Sequence, residues 1–154
     1  MQVQIVAVGS VKEKYILTGI SDFQKRLRRF CNLSIVEITA QPDQMEARRA
    51  LKIEADLIRQ KWLTKAYKVA LTPHGKELSS EELAAKLPKW LEQGNSELTL
   101  IIGSSRGLAA DIIKECQATW AFGPLTLTHG VARFIAIEQI YRAYKINANE
   151  AYHK

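Results

Sequence analysis

Short runs of β-forming residues alternate along this chain with longer segments in which apolar side chains recur every three or four positions. The runs fall at residues 3–8 (VQIVAV), 33–38 (LSIVEI), 67–71 (YKVAL), 98–102 (LTLII) and 124–128 (PLTLT). Two of them are almost continuously apolar, the pattern of a strand covered on both faces. Ile16, Ile20, Phe23, Leu27 and Phe30 step by four and three, as do Ala47, Leu51, Ala55, Ile58 and Trp62, and each series predicts an amphipathic helix. A third helix is predicted to open at Ser79, which stands at capping-box spacing from Glu82, and to stop near Gly94. A fourth is expected over about 109–116 and a fifth over about 130–146. The order βαβαβαβαβα predicts an α/β fold, a mainly parallel sheet flanked by helices. No repeat or linker divides it, so residues 1–154 read as a single domain.

Composition narrows this picture without changing it. The chain has 154 residues, 47% hydrophobic and 25% charged, which suits a globular domain able to bury one core. No apolar run approaches the roughly 20 residues that span a bilayer, so a membrane protein is not expected and a cytoplasmic one is. Cys31 and Cys116 lie far apart with no histidine at metal-ligand spacing; two buried thiols are expected, with neither a disulfide nor a metal. The net charge of +6 is uneven: residues 1–77 hold 14 Lys or Arg against 8 Asp or Glu, and residues 78–154 hold 8 against 8. Such an excess suits contact with a phosphate backbone. Lys25, Arg26, Arg28 and Arg29 are the better candidates for it. Arg48, Arg49, Lys52 and Arg59 share a helix with Glu46, Glu54 and Asp56 and read as a solvated face.

In sheets of this kind ligands settle beyond the carboxyl ends of the strands. Three connections there carry possible chemistry: residues 71–77 (LTPHGKE), 101–108 (IIGSSRGL) and 122–130 (FGPLTLTHG). Gly103 and Gly107 flank Ser104, Ser105 and Arg106, so backbone N–H groups can approach a ligand, although neither the dinucleotide fingerprint nor a P-loop is present. A strand-to-helix turn that needs glycine for its own sake reads the same. His129 opens the last helix, where the macrodipole favours the neutral imidazole and hence a proton acceptor. Arg133, Glu138 and Arg142 follow on that helix, the last two at ion-pair spacing. The chain ends in Tyr152, His153 and Lys154, a polar set at a place where most domains fray.

Taken together, VAVG near the start, the GK of HGKELSS, IIGSSRGL, LTLTH, EQIYRAYKI and the terminal EAYHK resemble the RlmH family over essentially the whole chain. Members are small SPOUT-class enzymes that methylate N3 of a pseudouridine in large-subunit (23S) ribosomal RNA. The resemblance implies a C-terminal trefoil knot, which no periodicity argument would predict. It also implies a homodimer and S-adenosyl-L-methionine as methyl donor. Carried onto this chain, the donor pocket falls on Leu71, Gly103, Phe122, Gly123, Pro124, Leu125, Thr126 and Leu127, largely through backbone contacts. Ser104 stands where a second glycine often follows Gly103, and Thr128 where proline often precedes the histidine; either alters loop geometry.

The imide N3 must lose a proton before it attacks a sulfonium methyl. His129 or His153 is expected as the base, Arg133 and Arg142 as anion stabilisers, and Tyr152 and Lys154 as contacts to the nucleotide. The substrate is expected to be ribosomal RNA, held on the assembled ribosome because the chain has no separate RNA-binding domain. The alternatives are a non-catalytic RNA-binding factor and a methyltransferase acting on tRNA.

Overall fold

The computed structural model describes all residues, 1–154. Five strands, β1 (Gln2–Val8), β2 (Asn32–Ile38), β3 (Tyr67–Leu71), β4 (Glu97–Ile102) and β5 (Ala118–Trp120), form one sheet in the order β2-β1-β4-β3-β5. Every pairing is parallel. The helices are α1 (Lys14–Leu27), α2 (Ala47–Lys61), α3 (Ser80–Gln93), α4 (Ala110–Glu115) and α5 (His129–Asn147).

Alternate residues of β1 serve opposite faces, as the two-residue period of a strand requires. Val3, Ile5 and Ala7 join a core with α1, α3 and α5, while Val6 and Val8 join a second with α2 and α4. Strands β1 and β4 are therefore buried almost throughout. Edge strand β2 is half-exposed instead.

Three predicted features are corrected. The run PLTLT is not a strand: residues 124–126 are exposed, and the sheet edge is formed by Ala118, Thr119 and Trp120, which pair with Val69, Ala70 and Leu71. A three-residue strand is too short to leave a hydrophobic period, and Pro124 lacks the N–H a ladder needs. On α2 the buried positions are Ala50, Glu54, Ala55 and Ile58, with Ala47 exposed. Glu54 thus turns into the protein rather than balancing the solvated face. Cys116 is half-buried, not buried.

Helix α3 carries the expected capping box, with Ser79 Oγ accepting from Glu82 N at 3.1 Å and Ser79 N donating to Glu82 Oε2 at 2.7 Å. Pro88 lies inside this helix and has no N–H for the carbonyl of Ala84 four residues earlier. Asn147 Nδ2, at the end of α5, donates to that carbonyl at 2.9 Å. A helix defect is thereby repaired by a tertiary contact that ties α3 to the last turn of the chain.

Candidate active site at the carboxyl edge of the sheet

Leu71 pairs with Ile102 on one side and Trp120 on the other, so the connections after β3, β4 and β5 leave the sheet side by side. The β3–α3 connection is pinned to β5: Thr72 N donates to Trp120 O at 2.9 Å and Ala121 N to Lys76 O at 2.9 Å. After β4, Gly107 N donates to Ser104 O at 2.8 Å and closes a turn. A β-carbon on Gly103 would lie 2.3 Å from Gly107 O, so this glycine is required by the turn itself.

Residues 122–127 behave differently. They make no backbone hydrogen bond within the chain, although they join two pinned segments. Gly123 takes φ +104° with open space where a side chain would be, and Leu125 is largely exposed. Phe122 packs edge-on to Trp120 with centroids 4.9 Å apart. An arc of unspent N–H and C=O groups beside an aromatic side chain suits a flat heterocycle recognised through backbone.

Thr128 caps α5, its Oγ1 accepting from Val131 N at 3.4 Å, so the departure from proline supplies a capping hydroxyl. The His129 ring lies against Gly9 at the end of β1, with Nδ1 buried and lacking a hydrogen-bond partner. One turn further, Arg133 is only 3% exposed, donating through Nη1 to Glu37 at 2.7 Å and through Nη2 to Gly9 O at 3.1 Å. Its guanidinium is largely committed to the protein.

The remaining groups meet two to three turns along α5. Arg142 Nη2 donates to Glu138 at 2.8 Å, its guanidinium stacks 4.7 Å from the Tyr152 ring centroid, and Nη1 lies 3.1 Å from His153 Nδ1. Arginine only donates, so Nδ1 is the acceptor; Nε2 then carries the proton and donates to Glu81 at 2.7 Å. Tyr152 donates its hydroxyl to Glu138 at 2.8 Å. Upstream, Glu150 binds Lys145 and accepts from Arg29 Nη2 at 2.5 Å, and Asn149 takes φ +55° to turn the chain back. The lysine and arginine hold the Glu150 carboxyl below its ordinary range, and the His153 contact does the same for Glu81. Lys154 makes no side-chain hydrogen bond or ion pair. Thirteen residues separate His129 from Arg142, about 20 Å along a helix axis. The structure thus brings Arg142, Tyr152 and His153 together and sets His129 and Arg133 apart from them.

Sequence reading did not single out Glu81, Glu150 or Glu37 as partners. Glu81 sits in a helix-start signature that explains it fully, and a partner 72 positions away leaves no local trace.

Burial first, then the hydrogen bond to the Glu138 carboxylate, pushes the Tyr152 phenol up to about 12. Its protonated form is favoured by the fold, so this contribution to stability is complete below the ordinary value near 10 and is lost as pH rises through about 12. An ultraviolet titration is expected to show late-ionising tyrosines, Tyr144 and Tyr152 among them, and Glu138→Gln is expected to bring Tyr152 alone earlier. An unchanged titration curve in that variant would show that the hydroxyl contact does not hold the tail.

The family model described as "Predicted SPOUT methyltransferase" matches residues 1–153. The chain is 42% identical, over 100% of both sequences, to a protein of Bifidobacterium adolescentis named "Ribosomal RNA large subunit methyltransferase H", and 41% identical, again over 100% of both, to one of the same name from Clostridioides difficile. A crystal structure of a probable methyltransferase from Bordetella pertussis Tohama I superposes with a TM-score of 0.56 at 16% identity, covering 92% of this chain and 95% of the other. A probable methylase family protein of Haemophilus influenzae gives 0.53 at 11% identity, covering 96% and 66%. At these identities the two structures share the fold.

Proposed function

This chain belongs to the SPOUT methyltransferase family, and on that premise we propose that it methylates N3 of a pseudouridine in large-subunit (23S) ribosomal RNA, on the assembled ribosome, with S-adenosyl-L-methionine as donor. The substrate reading rests on full-length relatives named for ribosomal RNA methylation. The donor reading rests on one observation, the arc of residues 122–127 with its backbone groups unspent between two pinned segments. Leu71, Gly103 and that arc would hold the donor, whose chemical contribution when bound is an electrophilic methyl on sulfur. The trefoil knot and the extension of one catalytic domain over residues 1–154 belong to the same proposal.

The chain's own task is to deliver a deprotonated N3. His153 Nδ1 is an acceptor whose present donor is Arg142; exchanging that donor for the N3–H of the nucleobase places the proton on Nδ1 as the N–CH3 bond forms. Glu81, already bonded to Nε2–H, would stabilise the resulting imidazolium, and Arg142, released from Nδ1, the developing anion. Tyr152 and Lys154 would contact the nucleotide. His129 is the second candidate base, its unpartnered Nδ1 facing the other end of the site. Arg133, committed to Glu37 and Gly9, would steady the start of α5 instead of meeting the anion.

Arg48, Arg49 and Lys52 are exposed without ion pairs, as are Lys25 and Arg28, and these would meet RNA phosphates. Arg59 is spent on Asp56, Asp111 and Glu115. No helix is long and apolar enough to cross a membrane, and a ribosomal substrate would place the protein in the cytoplasm. A homodimer is proposed through the outer face of α5, where Ile135 stays partly exposed outside the core; sedimentation at twice the 17.4 kDa chain mass is expected.

Labelled methyl supplied on S-adenosyl-L-methionine is expected to reach ribosomes in preference to free 23S RNA, with the label mapping to N3 of a pseudouridine. Label on tRNA would point to the other methyltransferase reading. RNA binding with no donor binding would point to a non-catalytic factor.

A further inference from the structure

Glu54 is 2% exposed, lies on α2 and makes no ion pair. Its two oxygens reach two different connections: Oε2 accepts from Gln41 N, in the β2–α2 connection, at 2.9 Å, and Oε1 accepts from Ser104 Oγ, in the turn after β4, at 3.2 Å. Arg106, from the same turn, grips the first connection in return, donating to Pro42 O at 2.8 Å, Met45 O at 3.2 Å and Gln41 O at 3.4 Å. Arg106 N also donates to Ser104 Oγ at 3.3 Å, so the serine hydroxyl is held on both sides. A buried carboxylate is costly unless its hydrogen bonds are made, which makes this arrangement cooperative: loosening one connection strands the charge and loosens the other.

We propose that Glu54, Ser104 and Arg106 are positioning residues for methyl-donor binding, locking the Gly103–Gly107 turn through the β2–α2 connection. The proposal rests on the reading that Gly103 contacts the donor. Inside the turn Gly107 N bonds Ser104 O and Arg106 N bonds Ser104 Oγ, and the Glu54 and Arg106 side-chain contacts are what tie the turn to the β2–α2 connection. Ser104 is thereby explained at a position where the resemblance expects glycine, because its hydroxyl donates to Glu54 and accepts from the Arg106 amide.

The test measures donor KM, kcat at saturating donor, and amide hydrogen exchange in wild type, Ser104→Ala, Ser104→Thr, Glu54→Gln and the Ser104→Ala/Glu54→Gln pair. Ser104→Ala is expected to raise donor KM about tenfold, the scale of one hydrogen bond to a charge, with kcat within about twofold of wild type. Ser104→Thr restores KM, and the double variant is no worse than the poorer single one. Hydrogen exchange in Ser104→Ala is expected to quicken both in 103–108 and in 41–46. Should Glu54→Gln unfold, Ser104→Ala decides alone. Unchanged KM with unchanged exchange overturns the proposal, as does a fall in kcat at constant KM. A wild type that binds no donor overturns the underlying reading as well, whereas quickened exchange confined to 103–108 overturns only the link between the two connections.

Discussion

Replacing His153 with alanine is expected to lower methyl transfer to ribosomes about 10²- to 10⁴-fold at saturating donor, the range that a positioned general base contributes. The expectation follows from the tautomer. Arg142 can only donate, which leaves Nδ1 as an acceptor and puts the ring proton on Nε2 toward Glu81. A neutral imidazole with an acceptor nitrogen beside a guanidinium has the equipment for removing an imide proton. Donor binding is expected to stay within about threefold of wild type, because the binding loops lie on other elements and the lost group acts on the reacting proton. Glu81→Gln is expected to cost less, since the amide still accepts from Nε2–H and only the charge that steadies the imidazolium is gone. Single-turnover measurements separate the two histidines. If His129→Ala abolishes turnover and His153→Ala does not, the base lies at the start of α5 and the tail serves only to hold the nucleotide.

The fold was largely legible because its signals are local. The apolar runs of β1 and β4, the four-and-three steps of α1 and the Ser79–Glu82 box each specify an element from neighbouring residues alone, and the alternation of strands and helices then restricts the sheet to a parallel one. What escaped was whatever depends on distant partners. Ala118 to Trp120 becomes a strand because β3 offers an open edge, not because three residues carry a period. Glu54 turns inward because the N–H of Gln41 and the hydroxyl of Ser104 await it, against every compositional expectation for glutamate.

The site shows the same division. The resemblance pointed to three loops and the tail, and the geometry joins Leu71 to both neighbouring strands. Four polar residues on or near one helix could not be sorted by spacing alone, because a helix of 19 residues is long enough to serve two places at once. Arg133 and Arg142 are alike in sequence, yet one is 3% exposed between Glu37 and Gly9 and the other stacks on Tyr152 beside an imidazole. Burial and partners separate their surroundings.

Gly103→Ala is expected to weaken donor binding at least about 100-fold while lowering stability by about 1–3 kcal/mol, the usual cost of forcing a methyl into filled space. The added carbon would stand 2.3 Å from Gly107 O, 2.5 Å from Gly107 C and 3.0 Å from Leu108 Cγ. Two of those atoms are backbone, so no side-chain rotation relieves the clash. The Gly107 carbonyl has to move, and the N–H of the same residue closes the turn on Ser104 O. With the turn opened, the Ser104 hydroxyl loses its line to Glu54, and the error spreads to the β2–α2 connection. Gly123→Ala provides the contrast. There a β-carbon meets nothing within 4 Å, and the penalty is the left-handed backbone alone, of order 1–2 kcal/mol. Calorimetric titration with S-adenosyl-L-methionine and thermal unfolding of both variants distinguish crowding from strain: Gly103→Ala loses binding out of proportion to its loss of stability, and Gly123→Ala loses the two in step. A Gly103→Ala protein that binds the donor as wild type does would place the donor away from this turn.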